Sequence, residues 1–265
     1  MTDYSRYQAL NVEMAQGVAT LTLNRPQALN AIGEALHREL EDVFLDLAGD
    51  TEVNAVVLTG AGRAFSAGAD VKGMAQRAAA KTFPSWLMTG PRRLIHNMLE
   101  VQQPIIAAVN GDAVGLGATV ALFCDMVLAA NTARIGDPHV RVGLVAGDGG
   151  AIIWPMPLPL HRAKYYLLTG DLIPAPEAER LGLIHRALPQ EELMSAATDL
   201  AGRLASGPSL AIRWTKMSVN RALRERVNLI LEPSLGLEAL TMASEDHLEA
   251  AQAFVEKRTP QFRGR

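Results

Sequence analysis

A chain of 265 residues with 49% apolar side chains can bury one large core. Its 25 Lys and Arg against 28 Asp and Glu leave a net charge of −3, which argues against nucleic acid as the main partner. The lone Cys124 cannot form an internal disulfide. With no basic n-region or apolar h-region in MTDYSRYQAL and no retention signal in FRGR, a cytoplasmic protein is expected.

Leu10, Val12 and Met14 alternate with polar residues, as do Ala19, Leu21 and Leu23, with Gly17 between, so a strand pair is predicted. Pro26 ends the second strand. Asn30 is placed as the cap of a helix whose apolar face carries Leu36, Leu40, Val43, Phe44 and Leu47, and Gly49 closes it. Val53–Thr59 reads as a buried strand leading into a loop with Gly60, Gly62 and Gly68. Residues 73–103 are mixed: MAQRAAAK is helix-prone, Pro84, Gly90 and Pro91 interrupt, and RRLIHNMLEV reads as a helix.

Residues 104–130 are apolar enough to suggest a membrane span. Pro104, Asp112, Asp125 and several glycines instead divide them into strand, turn, helix and strand. In NGDAVGLGATVALFCD (110–125) a glycine-rich turn opens a helix, and the first N–H groups of such a helix have no intrahelical partner. Cys124, late in that helix, reads as packing. Short strands are expected at Met126–Ala130, Ala133–Ile135 and Ile184–Leu188. A loop spans 136–150, a proline-broken helical run ends at Gly170, and a short helix covers Pro176–Leu181. The tail is predicted helical from Glu191: one long helix from Pro208 through Arg224, another over Val227–Leu240, and a last one over Ser244–Lys257.

Four stretches, GAGRAFSAGADVK (60–72), NGDAVGLGATVALFCD (110–125), LTGDLIPAPEAERLGLIHRAL (168–188) and AFVEKR (253–258), stand in an order that resembles the crotonase, or enoyl-CoA hydratase/isomerase, superfamily. The resemblance implies an α/β fold: a crotonase-like ββα spiral core over residues 1–190 and a C-terminal helical trimerisation region over 191–265. It also implies an acyl-CoA substrate, with coenzyme A entering as part of that substrate and no separate cofactor, and a homotrimer or a dimer of trimers. The segment 73–103 would carry a wall of the acyl pocket, with Trp86 and Met88 as candidates.

Carried over by motif, the backbone N–H groups of Ala67 and Leu116 would hold the thioester oxygen. Fixed N–H dipoles stabilise an enolate most where water is excluded, and losing one costs about 3–4 kcal/mol. Ala69, Asp70, Lys72 and Lys257 match positions around the CoA moiety. Gln27 stands where relatives often carry a basic residue, which leaves one phosphate contact without its cation.

The departure from the family lies at its two catalytic glutamates, whose positions align with Thr119 and His139. A threonine hydroxyl can orient water but is no acid or base near neutral pH; an imidazole can be either. Asp148, nine positions beyond His139, is a candidate partner that would fix the imidazole tautomer. That separation resembles the β-diketone hydrolase branch typified by 6-oxocamphor hydrolase. The other histidines have no supporting motif, and no residue spacing suggests a metal site. Three readings follow: enolate chemistry on an acyl-CoA of hydratase or isomerase type, a C–C bond hydrolase of β-diketone type, and a non-catalytic acyl-CoA binding protein.

Overall fold

The computed structural model describes residues 2–70, Gly73 and 86–265, leaving out the side chains at 87 and 88. Strands β1 (Leu10–Ala15) and β2 (Val18–Leu23) form the expected hairpin, its turn made by Gln16 and Gly17, both at positive φ. Helix α1 (Glu34–Gly49) starts after Gly33, not at Asn30. Asn30 lies buried in the preceding loop, where its side chain accepts from the Arg25 N–H and donates to the Ala61 and Ala64 carbonyls, each at 2.9 Å. It clamps two loops together. A capping residue and a loop clamp look alike in sequence because both use a short side-chain amide.

β3 (Ala55–Gly60), β4 (Ile105–Val109), β6 (Met126–Ala130) and β9 (Arg186–Leu188) add in parallel to β2, giving the sheet order β1-β2-β3-β4-β6-β9. Every residue of β3 and β4 is buried, as expected for parallel strands covered on both faces. Helix α1 packs against α2 (Trp86–Glu100), and α7 (Gln190–Ala205) lies on β3, β4 and β6. Because β2, β3 and β4 are parallel and nearly in step, the loops that follow them leave from one end of the sheet. Ligands of open α/β sheets bind at that end.

A second small sheet, β5 (Ala113–Val114), β7 (Arg134–Gly136) and β8 (Ile173–Pro174), sits beyond that end. Between them come α3 (Leu116–Leu122), a 3-10 turn at His139–Val142, α4 (Gly150–Ile153), α5 (Leu160–Thr169) and α6 (Ala175–Leu181). Cys124 is buried with its Sγ 3.3 Å from the Val120 carbonyl, and burial pushes its thiol up, consistent with inert packing.

The tail departs from expectation in one respect. Residues Ser209–Met242 form a single helix, α8, with Pro233 inside it, rather than two. The expected break between Arg224 and Val227 is absent, and tertiary contacts hold the helix along its length. Lys216 Nζ reaches Asp125 at 2.7 Å and the Gln103 carbonyl at 2.8 Å. Arg213 holds the Val53 carbonyl at 2.8 Å, and Arg224 holds Glu100 at 2.6 Å. Beyond Pro233 the helix is buried at Ser234, Leu235 and Glu238. The last helix, α9 (Glu245–Glu256), falls within the predicted Ser244–Lys257, is capped by the Ser244 hydroxyl, and packs on α8 and the 139–142 turn. Among the described residues, no helix is long and apolar enough to cross a membrane.

Candidate active site

Two backbone arms meet at the mouth of the sheet. Ser66 bridges Ala113: its N–H donates to the Asp112 carbonyl at 3.1 Å, and its own carbonyl accepts from Val114 at 2.9 Å. One step on, Gly68 lies against Val114 and Gly115. A Cβ on Gly68 would come within 2.5 Å of the Val114 oxygen, so only glycine permits this approach.

The Ala67 N–H, expected as one oxyanion donor, is spent inside the protein: it donates to the Leu29 carbonyl at 2.9 Å. Neighbouring peptide units point opposite ways, which residue spacing cannot reveal. The next unit is turned as the site needs. Its carbonyl, on Gly68, accepts from Ile32 N–H at 2.7 Å. In a planar trans peptide the N–H on the far side, that of Ala69, points away from Ile32. No backbone acceptor meets it among the described residues.

Leu116 is the first residue of α3. Gly115 precedes it with φ 54 and ψ −126, and its carbonyl accepts from Thr119 within the helix, so the Leu116 N–H points out of the helix end. Ala67 still lines a cleft of about 450 Å³ beside these arms, together with Leu29, Arg63, Ala64, Asn110 and Gln190.

Thr119, His139 and Asp148, distant in sequence, are buried together. His139 Nε2 lies 3.4 Å from Asp148 Oδ2, and Thr119 Oγ1 lies 3.5 Å from Asp148 Oδ1. Asp148 is not, however, the group that fixes the imidazole. Asp137, two residues before His139, makes the closer contact, with Nδ1. Only the Asp-Pro-His run at a turn marks Asp137 in the sequence. Burial disfavours charge on His139, but Asp137 and Asp148 outweigh it and hold the proton well above the ordinary histidine range. The Gly115 position faces the ring: a Cβ there would lie 3.6 Å from His139 Cε1.

Glu238 of α8 lies near the same cluster, and nothing in a helical tail marks it among many glutamates. It is 6% exposed, and its Oε2 has no hydrogen-bond partner. Burial pushes its carboxyl up to about 8, with Asp148 adding to the rise. Contrary to the absence of metal-ligand spacing in the sequence, Asp137, His139 and Asp148 bring ligand-type atoms within 4.8 Å of one another. The imidazole fits a metal poorly here, because both ring nitrogens face carboxylates and a protonated ring offers no lone pair.

Asp70 lines a separate cleft with Arg25 and Gln27, and its Oδ1 accepts from the Gly73 N–H at 3.3 Å. Lys257 is exposed and caps α9 in the left-handed conformation. Lys72 and the Met88 side chain lie outside the described residues. Trp86 is half-buried, with its ring centroid 5.7 Å from that of His37. The remaining histidines lie apart from this cluster in role: His185 Nδ1 accepts from Val127 N–H at 3.1 Å, and His247 Nδ1 faces the Val142 carbonyl at 2.8 Å.

A mostly parallel sheet whose loops bring two outward N–H groups beside a buried imidazole and carboxylates is a layout suited to an enzyme working through a stabilised oxyanion. Comparison with known proteins gives the family. Residues 13–265 match the enoyl-CoA hydratase/isomerase family. The chain is 36% identical to 2,3-dehydroadipyl-CoA hydratase of Escherichia coli over 97% of this chain and 99% of that one. It is 34% identical to crotonyl-CoA hydratase of Syntrophomonas wolfei over 97% and 98%. An enoyl-CoA hydratase/isomerase structure from Mycobacterium paratuberculosis superposes with a TM-score of 0.89 at 34% identity, covering 94% of this chain and 99% of that one. The chain is an enzyme of the enoyl-CoA hydratase/isomerase family, the crotonase superfamily its motifs resemble.

Proposed function

We propose that the enzyme adds water to, or shifts the double bond of, an enoyl-CoA thioester, with an imidazole–carboxylate pair in place of the usual two glutamates. The observation carrying this reading is the 3.4 Å approach of His139 Nε2 to Asp148 beside the Leu116 helix end. The N–H groups of Ala69 and Leu116 hold the thioester oxygen. Asp148, steadied by Thr119, takes a proton from water as the hydroxyl bonds to Cβ. The π electrons move to the thioester oxygen, and the two N–H dipoles stabilise the resulting enolate. The His139 imidazolium then gives its proton to Cα, and the proton on Asp148 passes to His139 Nε2. Water has been added, and both side chains are restored. Coenzyme A is part of the substrate, and Lys72, Asp70 and Lys257 are proposed as its contacts.

The test follows the loss of conjugated enoyl-thioester absorbance with crotonyl-CoA. Wild type should turn over, and His139→Ala should lose on the order of 10²–10⁴-fold in kcat with CoA binding kept. Equal turnover by the variant would overturn the assignment. The same pair could activate water for C–C cleavage, so release of a carboxylic acid from a β-diketone is the arm that would transfer the site to hydrolase chemistry.

A homotrimer, or a pair of trimers, in the cytoplasm is proposed as the working form. Support comes from large apolar side chains left outside on the helical region, with Val219 71%, Leu229 70% and Leu240 70% exposed. Light scattering on the purified protein should return a multiple of three chain masses; a monomer would refute it.

A further inference from the structure

We propose that Glu238, supplied by the C-terminal helix α8, sets the alkaline limit of the acid–base site: it is silent while it holds a proton beside Asp148, and once it has lost that proton its charge tightens the hold of Asp148 and His139 on theirs. The inference rests on the reading of Asp148 above, and it gives the helical tail a part in the chemistry as well as in assembly.

Geometry carries the argument. α8 turns Glu238 inward one helical turn after Ser234, and both rest on Gly147, the residue before Asp148. A Cβ on Gly147 would come within 2.6 Å of both Glu238 Oε2 and the Ser234 carbonyl. Glycine at 147 is therefore what admits the helix and its carboxyl to this spot. Leu231 and Leu235 are buried on the same helix. An unpartnered carboxyl there is costly compared with leucine or methionine. Such a cost is the mark of a group kept for its chemistry.

The charges that act on Glu238 are those of Asp148, His139 and Asp137. Thr241 and Ser234 share its helix, and His247 of α9 is turned to the Val142 carbonyl. Two carboxyls in one dry pocket do not both ionise readily. Asp148 has donors in His139 and Thr119, whereas Glu238 Oε2 has none, so the proton settles on Glu238. Above about pH 8 Glu238 ionises, and the added charge tightens the hold of the Asp148–His139 pair on its protons.

The experiment compares wild type, Glu238→Gln and Glu238→Met in the full-length protein. Three readouts are taken: kcat and KM for crotonyl-CoA against pH, the melting midpoint, and the NMR titration of the His139 imidazole. Both variants are neutral at every pH, as protonated Glu238 is, so they should keep kcat and KM within about twofold of wild type at pH 7 and lose the bend in kcat near pH 8. Glu238→Met should melt at or above wild type. A bend retained near pH 8 in Glu238→Gln would overturn the proposal. So would a Met variant that melts well below wild type and loses activity only in step with unfolding. If wild type shows no turnover, the enoyl-CoA reading fails by itself. The titration then still decides: a shifted His139 midpoint in Glu238→Gln supports the coupling, and an unshifted one removes it.

Discussion

His139 sits between two carboxylates, and the two contacts differ in kind. Asp137 grips Nδ1 from two residues away in the same turn, while Asp148 reaches Nε2 across a loop. On the proposed mechanism the first orients the ring and the second exchanges a proton with it. Asp137→Asn should therefore lower kcat on the order of 10²-fold with little change in KM, and steady-state kinetics would show it. The Leu116 N–H can be tested more cleanly than most backbone groups. Leu116 is the first residue of its helix, where proline is tolerated and lacks only the N–H. Leu116→Pro should cost about 3–4 kcal/mol of transition-state stabilisation, while Leu116→Ala, which keeps the N–H, should cost far less. Equal losses in the two variants would mean that the side chain, not the amide, is what matters.

α8 is held as one element by cations that reach back to the core. Lys216 is one of these, with its side chain 8% exposed, and Asp125, its partner, also accepts from the Ile105 N–H at 2.7 Å. One carboxylate thus ties the start of β4 to the helix that carries Glu238. Lys216→Met should lower stability by roughly 3 kcal/mol, the lower end for breaking a buried pair because Asp125 keeps some water. Denaturant unfolding would measure it. Pro233 stays inside the helix because burial at Ser234, Leu235 and Glu238 holds the chain beyond it. The expected break lay earlier, between Arg224 and Val227, where the helix in fact runs on.

At the scale of the whole molecule, the site makes stability depend on pH. The Glu238 carboxyl is raised to about 8 from an ordinary value of 4.5, so the native state binds its proton more tightly than the unfolded chain. Its contribution is fully present below about 4.5 and is lost as pH rises through about 8. The raised His139 works with the same sign, present below the ordinary histidine range and lost as pH climbs through its folded value. The melting midpoint of wild type should fall on the alkaline side, and Glu238→Gln should fall less. Calorimetry from pH 5 to about 9.5 would check this; parallel curves would show that Glu238 does not titrate in the native state.

What the chain declared by itself was whatever depends on local pattern. Alternation marked β1 and β2, apolar runs marked β3 and β4, and the last helix lies where it was expected. The glycine-rich turns and the replacement of two glutamates by Thr119 and His139 were equally legible, because they are matters of residue type at a motif position. Tertiary structure decided the directions. Which amide of SAGAD faces outward depends on the partners its neighbours find in Leu29 and Ile32, 35 or more residues away. Which carboxylate grips which imidazole nitrogen depends on how the 137–148 loop closes. Glu238 joins the site only because a helix some 90 residues further along lays its buried end on Gly147. Spacing along a chain records none of these, since peptide orientation and long-range approach are set by the hydrogen bonds and packing of the finished fold.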